Sequence, residues 1–319
     1  MNWFILIKLA VTIAAFIILA RYVDPWSILS QLADLRFAYV GPAVVLGLLQ
    51  VLLVALRWRL VVDEISRPED AIPSTLKFYQ IAFLAQFFGQ FMPFLASDGI
   101  RVLYLHDAGC SLATAFKGTL IDRGIALLVL LAFVPLSRAL WPFMDASVQA
   151  VSWLLPLSLV ALLAAAVALL TAEQVVRLFS RWPKIARLAE VLLDMRRLAK
   201  RPLQTMIVLG LCASVHGLSI GIFWLLAAGQ GIAVDIVGLL NVVPLILIAS
   251  TLPIAIAGWG VREGASVVMF ALIGVPKESA LLLSVAFGSI MLAAALPGAL
   301  MLPLTFRRGR LQTGTPKVK

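Results

Sequence analysis

Two arginines stand in the same short pattern, at places where so apolar a chain should carry no charge. Arg101 closes the run Asp98-Gly99-Ile100-Arg101 a short distance after Pro93, and Arg262, followed by Glu263, closes Gly258-Trp259-Gly260-Val261-Arg262 a similar distance after Pro253. A guanidinium is a planar fork that can hold phosphate through two parallel hydrogen bonds. Within hydrocarbon it costs roughly 3 kcal/mol or more unless a partner or ligand meets it. Arg101 and Arg262 are therefore the candidate anion-binding residues, with Asp98, Asp122, Arg123 and Glu263 setting the charge around them and Gly99, Gly258 and Gly260 shaping the backbone. A second reading stays open for each arginine: it snorkels to the interface, or it pairs with the neighbouring Asp98 or Glu263. Asp122-Arg123 is a third charged pair, either structural or part of a proton or headgroup path.

Other polar groups carry less. Gln80, Gln86 and Gln90 lie in one apolar stretch, the last two on one helical face, and such amides more often bridge helices than bind substrate. His106 and His216 lack partners at metal-ligand spacing, and Cys110 and Cys212 form no disulfide framework. No His-Glu-x-x-His, Gly-x-Ser-x-Gly or phosphate-binding loop occurs. We expect no catalytic residue, no metal and no cofactor.

The elements that must hold these groups are membrane helices. Hydrophobic residues make up 62% of the chain and charged ones 13%, against about 45–50% and about 25% in a soluble domain. Spans of about 20 apolar residues are predicted at Trp3 to Ala20, Phe37 to Leu56, Gly118 to Leu136, Val151 to Leu170, Thr205 to Ala228 and Ser279 to Pro303. The first reads as a retained helix, not a removable signal. Leu76 to Leu95 and Ile236 to Ala257 each end at a Pro followed by small residues and a second, shorter apolar piece. The expected fold is all-α: a polytopic bundle of about six spanning helices plus two re-entrant or broken-helix hairpins.

Charge places the ends. The net charge is +10, but the basic residues cluster beside apolar segments, which excludes a nucleic-acid groove and fits cytoplasmic loops and anionic headgroups. The stretch 172–201 mixes Arg and Lys with regularly spaced apolar residues and breaks at Pro183; it reads as an amphipathic surface helix or as a solvated linker. The residues after Thr305 are basic without an acid. With both segments cytoplasmic, 76–117 and 236–275 must each return to the side they left, one entered from each face, and the loop from Arg57 to Lys77 lies inside. That makes an inverted repeat, roughly 37–136 and 205–303, within one transmembrane domain (1–306) followed by a basic tail (307–319). Transporters built this way place their site where broken helices meet near the midplane.

The run Leu252 to Gly264, containing Gly258-Trp259-Gly260-Val261-Arg262-Glu263, resembles the lysylphosphatidylglycerol synthase transmembrane-region family. So do Phe91-Met92-Pro93 leading to Asp98-Gly99-Ile100-Arg101, Ile121-Asp122-Arg123-Gly124 and Leu56-Arg57-Trp58, although this chain has Ala96-Ser97-Asp98 where the family usually has Gly-Gly-Asp. The resemblance implies a flippase-like domain, the part that in the multiple peptide resistance factor moves aminoacylated phosphatidylglycerol between leaflets. In that family the synthase activity resides in a separate soluble domain. The transfer chemistry has no seat in this sequence, so no enzyme activity is expected. The leading expectation is translocation of a lipid with an anionic or phosphate-bearing headgroup across a bacterial inner membrane, with both termini cytoplasmic. The alternative is an accessory membrane protein that binds a lipid or presents it to a lipid- or glycan-modifying enzyme. The expected partners are membrane lipids and such an enzyme, not nucleic acid, and a homo-oligomer is compatible with the sequence.

Overall fold

The computed structural model describes residues 37–92, 94–140, 154–251 and 258–301. Every regular element among them is a helix, so the chain is an all-α membrane bundle. In chain order these are α1 (Phe37–Ile65), α2 (Thr75–Gly89), α3 (Phe94–Asp107), α4 (Leu112–Leu140), α5 (Leu154–Leu170), α6 (Ala172–Leu178), α7 (Pro183–Ala199), α8 (Pro202–Gly229), α9 (Ile236–Thr251), α10 (Val261–Ala271) and α11 (Lys277–Leu300). Among the described residues α1, α4, α8 and α11 are long and apolar enough to cross a bilayer, and α5 with α6, bent by 77°, makes a fifth candidate. The predicted first span, Trp3 to Ala20, and the basic tail lie outside the described residues.

The four long helices run between two ends of the bundle. At one end Tyr39 of α1 packs on Gly229 of α8. At the other, Glu64 of α1 pairs with Arg201, just before α8, at 3.0 Å. Buried small residues let the helices approach closely, as membrane packing requires. A Cβ added to Gly47 of α1 would come within 3.0 Å of Ala294 of α11, and one on Gly298 within 2.2 Å of the Phe83 carbonyl of α2. Large side chains such as Val45, Leu49, Leu163, Leu209 and Trp224 point outward, which suits a lipid surroundings and not water.

Helices α2 and α3 form a hairpin that turns back. With 15 and 14 residues each reaches only about 21–22 Å, short of the roughly 30 Å hydrocarbon core. Their outer ends meet: Phe78 at the start of α2 and Leu105 near the end of α3 share a cluster with Trp58 and Val62 of α1. The Ala71 amide donates to the Gly109 carbonyl at 3.1 Å, closing the foot. Asp70 reinforces it by accepting from the Ser111 amide at 2.6 Å and the Thr114 hydroxyl at 2.7 Å.

Helices α9 and α10 turn back likewise, with Gly238 against Ile273. Their foot follows Gly229, and the α2–α3 foot follows Ile65, so the two hairpins open on opposite ends of the bundle. The order long, short, short, long occurs twice, as α1 to α4 and as α8 to α11.

Two expectations need correction. The segment from Arg57 to Lys77 was expected to be a loop, yet α1 continues to Ile65; a hydropathy boundary stops at the first charge, whereas Arg57 is neutralised inside the bundle. The amphipathic stretch divides at Phe179–Trp182, with Pro183 as the first residue of α7. The apolar face of α7 packs on protein: Val191 and Leu198 join Val61, Ile121 and Val208. Lys117 of α4 holds this helix through Glu190 at 2.8 Å and Asp194 at 3.2 Å.

Candidate functional site

The α2–α3 hairpin carries Asp98 and Arg101 to the middle of the bundle, because α2 stops at Gly89 and α3 starts back at Phe94. There they meet Arg57, on the continuous helix α1, and Asp122 with Arg123, three turns into α4. Asp122 is fully buried and divided between two guanidinium groups: its Oδ1 accepts from Arg57 Nε at 2.7 Å, and its Oδ2 from Arg101 Nη1 at 3.1 Å. Arg57 Nη1 also donates to the Cys212 sulfur at 3.1 Å. Asp98 takes Arg123 through both Nε and Nη2, at 2.7–3.1 Å, and lies 3.8 Å from Arg101.

Three arginines against two aspartates leave one positive charge in excess. Arg101 is the least satisfied of the three. Its guanidinium carbon lies over the Trp58 ring, 4.2 Å from the centroid, and its Nε and Nη2 are buried without a hydrogen-bond partner. Cation–π contact fixes the plane of the group but satisfies no N–H. A buried donor left unpaired costs about 1–3 kcal/mol, more when charged.

Beside this cluster lies a cavity of about 420 Å³, within the roughly 300–1,000 Å³ of small-molecule sites. Arg57, Arg101 and Arg123 line one side. The α2 tip contributes Gln86, Gly89 and Gln90, and the α9 tip Leu247, Ser250 and Thr251, so the two hairpins meet across it. Gln50 of α1 and His216 and Ser219 of α8 complete the polar wall, and Phe287 and Met291 of α11 supply apolar surface. Gln50 donates to the Ser219 hydroxyl at 3.1 Å, while its Oε1 is buried without a partner. The His216 Nε2 lies 3.1 Å from the Ala126 carbonyl.

The second Gly-x-Arg motif forms a separate, closed cluster. Arg262 donates to Glu263 Oε1 from Nε at 3.0 Å and from Nη2 at 2.5 Å, and to the Ser284 hydroxyl at 3.2 Å. Glu263, fully buried, turns its Oε2 to the Gly260 amide at 2.6 Å and so caps the start of α10. The Arg262 guanidinium carbon lies 4.5 Å from the Trp259 ring and 5.8 Å from Phe287. Gly258 (φ 74°) and Gly260 (φ 85°) adopt left-handed backbone, which glycine enters without penalty; a Cβ on Gly258 would also approach the Ser250 carbonyl at 3.0 Å.

Of the residues singled out in the sequence, the structure gathers Arg101, Asp98, Asp122 and Arg123 around the cavity. Arg262, Glu263, Gly258 and Gly260 do not line it. Gly99 sits in α3, where an added Cβ would meet nothing within 4 Å. Sequence reasoning missed Arg57, Gln50 and His216, and it assigned Gln86 and Gln90 to helix bridging although both face the cavity. An acid within an apolar helix, as Asp122 is, calls for a counter-charge from a neighbouring helix when the adjacent Arg123 pairs elsewhere, and Arg57, in the run Leu56-Arg57-Trp58, supplies it.

The family model described as lysylphosphatidylglycerol synthase TM region matches residues 5–298. The chain belongs to this family. It is thus a multi-pass membrane domain of a family associated with lipid handling. Both hairpins, their glycine turns and the arginine cluster fall within the residues that the family covers. Comparison with curated proteins and with solved structures finds no match to the chain.

Proposed function

We propose that this protein moves a lipid with an anionic or phosphate-bearing headgroup between the leaflets of a bacterial inner membrane. The observation that carries this reading is Arg101: a buried guanidinium, seated over Trp58, with two donor atoms unpaired beside a cavity where the tips of two opposed hairpins meet. Phosphate or another oxyanion satisfies both donors at once and neutralises the excess charge of the cluster. The acyl chains stay in the surrounding lipid, so the protein needs to shelter only the headgroup. The order of long and short helices, repeated with the hairpins opening at opposite ends, supports an inverted repeat that exposes the cavity to either face by turn. The Arg- and Lys-rich α7 supports a cytoplasmic placement of its end of the bundle.

The site arginines, and Asp98 and Asp122 behind them, act here by binding and charge balance, without bond making. The test is reconstitution of the full chain into liposomes carrying acyl-labelled phosphatidylglycerol, with the outer leaflet quenched chemically. Accelerated loss of the protected inner-leaflet signal relative to protein-free liposomes is the expected result. An accessory protein that only presents lipid would bind the same headgroup and leave the signal unchanged.

A further inference from the structure

We infer that the cavity selects lipids whose headgroup is a phosphate bearing an uncharged, hydroxyl-rich distal part, and rejects headgroups that end in an ammonium group. This rests on the translocation reading and narrows its substrate class.

The charged groups that line the cavity, among the described residues, are all cationic: Arg57, Arg101 and Arg123. The carboxylates of Asp98 and Asp122 are engaged by those same arginines and do not line it. Phosphate fits this side. An ammonium group brought alongside would meet an excess of positive charge and no carboxylate, and a buried charge without a counter-charge is strongly disfavoured.

The rest of the polar lining is neutral and offers acceptors. The hydroxyls of Ser219, Ser250 and Thr251 each donate to a carbonyl of their own helix, at 3.3, 2.7 and 2.7 Å; Ser219 already accepts from Gln50 and keeps one lone pair, while Ser250 and Thr251 keep both for an incoming donor. Gln50 Oε1 is buried and lacks a donor altogether. The hydroxyls of glycerol, inositol or a sugar supply such donors without bringing charge.

An aromatic cage could substitute for a carboxylate in holding an ammonium. Phe287 is the one Phe, Tyr or Trp ring lining the cavity among the described residues. It is already stacked on Phe223, centroids 4.5 Å apart, and faces the Arg262 cation at 5.8 Å. A lysyl ester of phosphatidylglycerol adds two ammonium groups to a site built for none. The proposed preference is thus for the plain polyol phospholipid over its aminoacylated form.

The test uses the full chain in proteoliposomes with acyl-labelled phosphatidylglycerol, phosphatidylinositol, phosphatidylethanolamine and lysylphosphatidylglycerol in parallel. The first two should cross faster than the last two by about tenfold or more, the order of discrimination available to a site that leaves a polar group unpaired. Gln50→Glu, nearly isosteric, replaces the bond that Gln50 donates to Ser219 by one in which the Ser219 hydroxyl donates to the carboxylate; it places a carboxylate among the neutral lining residues and should narrow that ratio. Equal rates for all four lipids, or faster movement of the amine-bearing pair, would overturn the preference and leave translocation standing. A parallel thermal-shift arm compares free glycerol 3-phosphate with phosphatidylglycerol in nanodiscs. Stabilisation by the free phosphate alone, with no lipid moving, would overturn both the preference and the lipid reading.

Discussion

Asp122 joins a helix long enough to cross a bilayer to the shorter helix of a hairpin: its two oxygens hold Arg57 of α1 at 2.7 Å and Arg101 of the α2–α3 hairpin at 3.1 Å. The carboxylate is both the counter-charge that allows two arginines at this depth and the point at which the hairpin is fastened. Arg101 is nonetheless left with unpaired donors, so the atom that fastens the hairpin is distinct from those that the proposed function assigns to the headgroup.

Removing that carboxylate should therefore unfasten the site. Asp122→Asn leaves two buried arginines without their shared partner, a change of the kind that costs about 3–5 kcal/mol. The expected outcome is a large drop in the thermal midpoint of the detergent-solubilised protein, much greater than for Asp98→Asn, whose partner Arg123 is half exposed. Equal midpoints for the two variants would mean that Asp122 does not hold the hairpin.

Gly288 of α11 makes room for the other buried arginine. A Cβ there would come within 2.3 Å of Arg262 Nη2 and 2.7 Å of the Trp259 ring. Gly288→Ala should destabilise the protein by about 1–3 kcal/mol through overpacking. Gly210→Ala in α8, where nothing lies within 4 Å, should instead be neutral or stabilise by up to about 1 kcal/mol through helix propensity. Chemical denaturation of both variants in the same detergent compares them directly.

The foot of the first hairpin lies outside the spans and should respond to acid. Burial alone would raise the Asp70 carboxyl, but hydrogen bonds from the Arg67 and Ser111 amides and the Thr114 and Ser111 hydroxyls outweigh it and hold the group below its ordinary range. A carboxylate lowered on folding contributes stability above its unfolded pKa of about 3.9 and loses it as pH falls through the folded value. Thermal midpoints should decline below about pH 4 in the wild type, and Asp70→Asn should start lower and decline less steeply.

Cys110, at the same foot, should be chemically quiet. Burial pushes its thiol up to about 11, and the negative charge of Asp70 adds to the effect. Since the thiolate is the reactive form, maleimide labelling at neutral pH should be slow in the folded protein and complete only after denaturation. Rapid labelling of the native protein would mean that the foot opens.

The sequence reading reached the hairpins because their cause is local. In the sequence each apolar run ends at a proline, Pro93 or Pro253, which is a helix-stop signal, and Gly258 and Gly260 permit left-handed turns, so both breaks are written in neighbouring residues. The cavity was harder to foresee, since Arg57 and Asp122 are 65 positions apart and Arg57 and Cys212 are 155 apart. Nothing local in Leu56-Arg57-Trp58 tells that helix α1 passes through the charge and continues. Arg262 illustrates the opposite difficulty: the motif suggests a ligand-binding arginine, but the adjacent Glu263, with Ser284 from α11, occupies its donors. Gln50 carries no sequence signal at all, because an amide in an apolar helix bridges or binds according to what folds beside it.

The decisive measurement is lipid translocation by Arg101→Gln in proteoliposomes, beside the wild type and Arg101→Lys. Arg57 still neutralises Asp122 in the glutamine variant, so the protein should fold, and the inner-leaflet signal should be lost about tenfold or more slowly, each factor of ten being 1.4 kcal/mol of missing stabilisation. Lysine, a point charge without the fork, should restore only part of the rate. A folded Arg101→Gln protein that moves phosphatidylglycerol as fast as the wild type would show that the headgroup does not pass by this arginine.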